Sequence, residues 1–294
     1  MGHMPQKPQP VDGERLRPVT SRSNARLKEL RRMFHEAAPD EQHEVAVEGW
    51  HLVQEAINSS LRVSTVFFSE SARERATKFL LQLPRHAETL VIPDQVFSSA
   101  VPTGTPQGIA ALVQVKRHSL AEILRSQPAL LVIAAGLQDP GNLGTIARSA
   151  EAFEATGLIL TEKTVSAWNW KSVRASAGSL FRLPVVKAET AAVLAELKAH
   201  GIAILATSSH KGTSMSEADL TRPVALMIGN EGSGIPKDML AQTDEVIVIP
   251  HSAKVESLNA GIAASVVLYE ASRQRTKAFT TEGTEVTGKP KSKS

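Results

Sequence analysis

The sequence predicts an α/β protein of two units, the second organised on a mostly parallel sheet, and three observations carry that prediction. A chain of 294 residues, 42% of them hydrophobic, exceeds one ordinary domain and supplies two modest cores. Short strand-like and helix-like runs alternate between residues 44 and 115. From Leu130 onward the strand-like runs become continuously apolar with helical segments between them, the pattern of a parallel sheet covered on both faces.

Taken in order, Met1 to Met4 reads as an expression-tag scar, and the Pro-rich stretch that follows has too little apolar content to fold, so residues 1–13 are expected to be disordered. Thr20 to Ala37 carries Leu27, Leu30, Met33 and Phe34 at three- and four-residue spacing and predicts an amphipathic helix, with Arg22, Arg26, Arg31 and Arg32 mostly on its other faces. Strands follow at Glu44 to Glu48, Val63 to Phe68, Thr89 to Ile92 and Ile109 to Val115. Helices are expected at Trp50 to Asn58 and Ala72 to Leu83, with a helical turn near Asp94. Residues 14–118 thus form the first unit, and Ser119 to Pro128 reads as a helix within a linker at 119–129.

The second unit, 130–276, opens with LLVIAAG and continues with strands at Leu158 to Leu160, Arg182 to Val186, Ile202 to Thr207, Val224 to Ile228 and Val246 to Ile249. Helices are expected at Leu143 to Phe153, Thr190 to His200 and Ser257 to Arg273. Ligands of such sheets bind at the carboxyl ends of the strands. Residues 277–294, rich in Thr, Gly and Lys, are expected to be a disordered tail.

Composition narrows the chemistry. The absence of cysteine excludes disulfides, thiolate metal sites and a cysteine nucleophile, and points to a cytoplasmic protein. No apolar run reaches the roughly 18 residues of a membrane span. The nine histidines are scattered, so no metal site is expected, and His35 and His43 read as surface residues. A net charge of +3 and a pI near 9.2 permit an anionic partner without requiring one.

Three loops at strand ends hold the polar residues worth attention. In GLQDPGNLGTIARSAEAF, from Gly136, Asn142 is placed to cap a helix that carries Thr145 and Arg148 on one face. An arginine there suits a phosphate or a developing oxyanion. In VALMIGNEGSGIP, from Val224, three glycines in six residues allow a close backbone approach beside Glu231. Ile235 stands where a phosphate-binding P-loop needs lysine, and the spacing is not that of a dinucleotide fingerprint, so a neutral or zwitterionic adenosine ligand fits better. The third loop follows VIVIP and brings Ser257 and Asn259 to the start of a helix rich in Ala and Gly.

Together these elements resemble the SpoU/TrmH family of knotted RNA methyltransferases. The family carries an asparagine followed six residues later by arginine, here Asn142 and Arg148. It carries G-x-E-x-x-G at a strand end, here Gly229 to Gly234. Its third element is here Ile249-Pro250 followed by Ser257-Leu258-Asn259, with His251 standing where the family has methionine. The first unit, with TSRSNARLKELRRM, EGWHLVQEAI and TPQGIAALV, resembles the family's substrate-binding domain, itself similar to small ribosomal RNA-binding proteins.

The resemblance implies transfer of a methyl group from S-adenosylmethionine to a ribose 2′-hydroxyl of RNA, with ribosomal RNA favoured over transfer RNA. It implies that Asn142, Arg148, Glu231, Ser257 and Asn259 line the reaction centre and that Thr207, Gly229, Ile249 and Leu258 hold the methyl donor. It also implies a homodimer and a trefoil knot, which periodicity alone never proposes. Arg148 is expected to orient phosphate and stabilise the 2′-oxygen rather than act as base, because a guanidinium holds its proton. Arg22, Asn24, Arg26 and Arg32 are expected to meet RNA phosphates, and base stacking to contribute little at 4% aromatic residues. The rival readings are a base-nitrogen methyltransferase and a non-catalytic RNA-binding protein with the same fold.

Overall fold

A computed structural model describes residues 15–35 and 44–285, the last eight as backbone only. The expectations for 1–13, for the end of the first helix and for His43 fall outside the described residues. The chain divides into two compact units, one of residues up to Lys116 with Trp168–Trp170, the other of Arg117–Ala167 and the chain from Lys171 onward.

In the first unit a mixed five-stranded sheet runs in the order β1, β4, β3, β5, β2. Its elements are β1 (Arg17–Pro18), α1 (Ala25–His35), β2 (Glu44–Glu48), α2 (Trp50–Asn58), β3 (Arg62–Ser69), α3 (Arg73–Phe79), β4 (Glu88–Ile92), α4 (Asp94–Ser98) and β5 (Ile109–Gln114). Strands β1, β4 and β3 are parallel, whereas β5 lies antiparallel between β3 and β2. Helix α1 starts five residues later than its apolar spacing suggests. The Asn24 side chain accepts from the backbone N–H of Arg26 and Leu27 and so fixes the first turn. The face read from the sequence is the buried one: Leu27, Leu30, Met33 and Phe34 pack with Phe67, Leu90, Phe97 and Leu112. Fully burying each leucine there is worth about 1.5–3 kcal/mol.

The second unit contains α5 (Leu120–Leu124), β6 (Leu130–Ala135), α6 (Pro140–Ala152), β7 (Gly157–Leu160), α7 (Trp170–Ala175), β8 (Val185–Lys187), α8 (Thr190–Ala199) and β9 (Ala203–Ser208). It is completed by β10 (Thr213–Ser214), β11 (Val224–Gly229), α9 (Lys237–Leu240), β12 (Glu245–Val248) and α10 (Ala260–Glu285). All seven strands are parallel in the order β10, β12, β9, β11, β6, β7, β8. The continuous apolar runs have the cause inferred from sequence. Every residue of β6 and β7 is buried, and Leu131, Ile133, Ile159, Ile204 and Met227 join Val193 and Leu197 of α8 in one core.

Several boundaries differ from expectation for local reasons. Helix α5 has its Ser119–Glu122 capping box but ends at Leu124, four residues before Pro128, whose ring disfavours helix in the residue preceding it. Strand β8 begins at Val185 because Pro184 has no N–H to give the ladder. The short elements β1, α7, α9 and β10 carry too few residues for any periodicity to show. Helix α10 begins at Ala260 and runs to Glu285, past the point at which composition places a disordered tail; no proline interrupts it before Pro290. The rest of that tail lies outside the described residues.

One side chain ties the last helix to the start of the unit. Arg275 donates to the carbonyls of Pro128, Ala129, Leu220 and Arg222 at 2.8–3.2 Å, and its burial lowers the guanidinium pKa from its ordinary value.

Candidate active site

The three polar loops converge at the carboxyl ends of the central strands. The first follows β6, where Asp139, not Asn142, caps α6 by accepting from the N–H groups of Gly141 and Asn142. This corrects the sequence reading. With Pro140 in the first helical position, the cap falls three residues before Asn142, whose amide is therefore free to face the other loops. It donates to Glu231 Oε1 at 2.6 Å and accepts from Asn259 Nδ2 at 2.9 Å. Three residues spread over more than a hundred positions of chain thus form one relay.

The glycine loop after β11 folds back on itself through paired backbone hydrogen bonds between Asn230 and Gly234, at 3.1 and 2.9 Å. Gly229 has to be glycine, since a Cβ there would stand 2.5 Å from the Gly234 carbonyl carbon and 2.6 Å from the Ile235 nitrogen. Gly234 has φ +67°, in the left-handed region that other residues enter at a cost. Sequence reasoning passed over Asn230. Its Oδ1 accepts from the N–H groups of Gly232 and Ser233 and from the Ser233 hydroxyl, while its Nδ2 donates to the Gly136 carbonyl at 3.1 Å. The signal was there: asparagine before a glycine-rich turn is the residue that bonds to the backbone two positions on.

The third loop leads into α10. Asn259 Oδ1 accepts from the Ile262 N–H at 3.2 Å, so this residue both starts the helix and joins the relay. Helices α10 and α6 then pack along small residues, with the Ser149 and Ser265 hydroxyls 2.6 Å apart. A Cβ at Gly261 would lie 3.1 Å from Thr145.

A cavity of about 400 Å³ opens between these loops. Five sequence-predicted residues line it beside Glu231: Thr207, Gly229, Ile249, Ser257 and Leu258. Thr207 donates through its hydroxyl to the Met227 carbonyl at 3.0 Å, which fixes the end of β9 against β11. Asn142 and Asn259 reach the cavity through Glu231. Arg148 is exposed on α6 and is absent from the lining. His210, Glu256 and His251 also line it and were not singled out as ligand contacts; His251 pairs its Nδ1 with the Ile249 carbonyl at 2.7 Å.

The lining has no lysine or arginine, and its charged groups are the carboxylates of Glu231 and Glu256. That donor set, with glycine backbone and the apolar Ile228, Ile235, Ile249 and Leu258, suits an adenosine-bearing cation or zwitterion and offers nothing to neutralise a polyphosphate. A sulfonium methyl donor fits it. Among the described residues no group of three or more metal-ligating side chains is found.

In the first unit, the structure separates the four expected RNA contacts. Arg22 is exposed; Asn24 is committed to capping α1. Arg26 is bonded to Glu29 at 2.8 Å and lies 3.9 Å from both Glu44 and Glu88, and the Glu29 bond raises its pKa. Arg32 is exposed.

The same two units emerge from comparison with known proteins. Residues 129–269 match the SpoU rRNA Methylase family, and residues 24–111 match the MRM3-like substrate binding domain. The chain is similar to the 23S rRNA (guanosine(2553)-2′-O)-methyltransferase RlmP of Bacillus subtilis, at 31% identity over 86% of this chain and 98% of that protein. It is also similar to the crystal structure of the SpoU methyltransferase AviRb from Streptomyces viridochromogenes in complex with AdoMet, with 29% identity and a TM-score of 0.78. That match covers 86% of this chain and 98% of AviRb. The AdoMet-bound rRNA methyltransferase of Sinorhizobium meliloti gives 29% identity and a TM-score of 0.76 over 88% and 98% of the two chains. The chain belongs to the SpoU rRNA methylase family, as its three motifs indicated.

Proposed function

We propose that this protein transfers a methyl group from S-adenosylmethionine to a ribose 2′-hydroxyl of ribosomal RNA. The observation that carries the reading is the relay from Asn259 through Asn142 to Glu231, set at the rim of a cavity without lysine or arginine. Thr207, Gly229, Ile249 and Leu258 would hold the donor, which brings its own electrophilic methyl group on a sulfonium. RlmP supports the substrate class, since its name specifies 2′-O-methylation of 23S rRNA, and AviRb the donor, since it was crystallised with AdoMet.

The chain's own residues orient and stabilise. Arg148, exposed and without a hydrogen-bonding or ionic partner among the described residues, keeps its donors for the phosphate of the target nucleotide and for charge developing on the 2′-oxygen. Asn142, Ser257 and Asn259 hold ribose and loops, and Glu231 fixes the Asn142 amide. Residues 14–118 act as the RNA-binding domain, 119–129 as a linker and 130–276 as the catalytic domain. Arg22 and Arg32 are the principal RNA contacts, and Asn24 and Arg26, held by the α1 cap and by Glu29, contribute little.

Two further features belong to this reading. The return of the chain after β12 to Asn142 supports a trefoil knot. Ile262 and Tyr269, 54% and 56% exposed two turns apart on α10, support a homodimer through the catalytic domain. No described helix is long and apolar enough to cross a membrane, and a cytoplasmic location is part of the proposal.

The test incubates the purified protein with radiolabelled donor and ribosomal RNA, digests the RNA to nucleosides and weighs the products. A 2′-O-methylated nucleoside is expected. Methylation on a base, or label that never leaves the donor, defeats the reading.

A further inference from the structure

The substrate-binding unit holds a second cavity of about 310 Å³, whose lining includes none of the arginines that the sequence nominates for RNA. It lies where the two unabsorbed motifs of that unit, EGW and TPQG, meet. The Trp50 backbone N–H donates to Gln107 Oε1 at 3.2 Å and its indole N–H to the Gln107 carbonyl at 2.9 Å, while Glu48 accepts from the Gln107 N–H at 2.8 Å. Gly108 completes the wall, since a Cβ there would stand 2.7 Å from the Ser69 hydroxyl.

Two side chains give this cavity its chemistry. Arg75 lies over the Trp50 ring with its guanidinium carbon 4.0 Å from the centroid, and Phe79 meets the indole edge-on at 5.3 Å between centroids. Arg75 is exposed and, among the described residues, has no carboxylate or carbonyl partner, so a flat cation is held in place by the indole with its donors unspent. Opposite in character is Asp94. Its Oδ1 accepts from the Ser71 N–H at 3.1 Å and the Ser71 hydroxyl at 2.8 Å, bonds that lower its pKa and keep it ionised, with acceptor capacity to spare. A carboxylate at a phosphate site would repel its ligand. A planar cation beside an acceptor instead suits the face and the N–H edge of a nucleobase.

We propose that this cavity receives one unpaired base of the RNA substrate, stacked on the Arg75 guanidinium and read along its edge by Asp94, with guanine preferred. Guanine offers adjacent N1–H and N2–H donors to a carboxylate, whereas uracil presents a single N–H between two carbonyls that the carboxylate repels. The low aromatic content counted against stacking on rings; here the platform is an arginine, supported by a tryptophan that is only 8% exposed. The inference rests on the RNA substrate proposed above, and deepens it by naming what the substrate must present.

The experiment measures binding of the full chain to heptauridine and to heptauridine with a central guanosine, and separately the KM for ribosomal RNA. Unvaried protein should prefer the guanosine-containing strand by about tenfold, within the range of one bidentate contact to a base edge. Asp94→Asn should erase the preference, Arg75→Ala should weaken both strands and raise KM, and S-adenosylmethionine affinity should stay unchanged in each. Arg75→Lys separates a plane from a point charge: rescue by lysine overturns the stack. Equal binding of the two strands, or variants with ordinary KM, overturns the inference while methylation by unvaried protein leaves the wider reading standing. Absence of methylation by unvaried protein defeats that reading instead.

Discussion

The two cavities of this protein are built by opposite means. The one in the catalytic unit is made largely by the main chain: a glycine loop closed on itself by its own hydrogen bonds, with apolar side chains and no lysine or arginine. The one in the substrate unit is made by side chains, with an arginine laid on a tryptophan beside an aspartate. A ligand of fixed composition, met again at each turnover, can be matched by rigid backbone. A polymer that must be caught and then released is better met by side chains with charge to lend. Where cations stand in each unit is the practical content of the contrast.

The sharpest attack on it is Arg148→Ala. If the cation acts on the target nucleotide rather than on the donor, turnover should fall by about 10² to 10³-fold, the usual loss of one oxyanion donor, with donor affinity by calorimetry unchanged. Unchanged turnover removes Arg148 from the chemistry.

Gly229→Val comes next, since its side chain would be driven into the backbone of the same loop. Donor affinity should drop at least about a hundredfold, equivalent to roughly 2.7 kcal/mol, while RNA binding persists. Parallel loss of both would mean the two cavities are not independent.

A smaller effect tests the side-chain construction of the substrate unit. Gln107→Ala removes the acceptor of the Trp50 N–H, and thermal denaturation should register a loss of about 1–2 kcal/mol. An unaltered melting curve would show that the loop is held by its backbone after all.

Acid provides a fourth probe. Glu270 is buried, with its pKa lowered by its hydrogen bonds to Arg273. A depressed folded-state pKa contributes stability that is present above the unfolded value near 4.5 and is lost as pH falls through the folded value. Denaturant titrations should therefore show the native protein weakening below about pH 4.5, less so in Glu270→Gln. Identical pH profiles for the two proteins would remove Glu270 from the account.

The slightest change is expected of Arg26→Ala. Already bonded to Glu29 and flanked by Glu44 and Glu88, this arginine has little charge left for RNA, and affinity should move less than about threefold. A tenfold loss would restore it as a principal contact.

What the sequence disclosed follows from how far each signal reaches. The continuous apolar runs identified β6, β7 and β11, and β9 through its buried stretch Ile204 to Ala206, because burial on both faces leaves its mark on consecutive residues. The cavity was half legible. Gly229, Glu231, Ser257 and Leu258 stand in motifs with fixed spacing, whereas His210 and Glu256 carry no local pattern and are known to line it from the fold alone. The cap of α6 is misplaced by sequence, because a cap preference cannot tell Asp139 from Asn142 three residues on when both belong to the favoured types; the place of Asn142 in the site rests on the family motif instead. The Arg75–Trp50 stack was not legible, since 25 residues and a strand separate its members.

Arg275 gathers four carbonyls, two from the start of the catalytic unit and two from the turn before β11, and it sits in the last helix. During synthesis those carbonyls at 128, 129, 220 and 222 emerge well before the side chain that satisfies them. The nascent unit must wait with its seam open until position 275 has itself left the ribosome. Premature termination in α10 would therefore cost far more than a short tail, because the polypeptide already made would lack its final fastening.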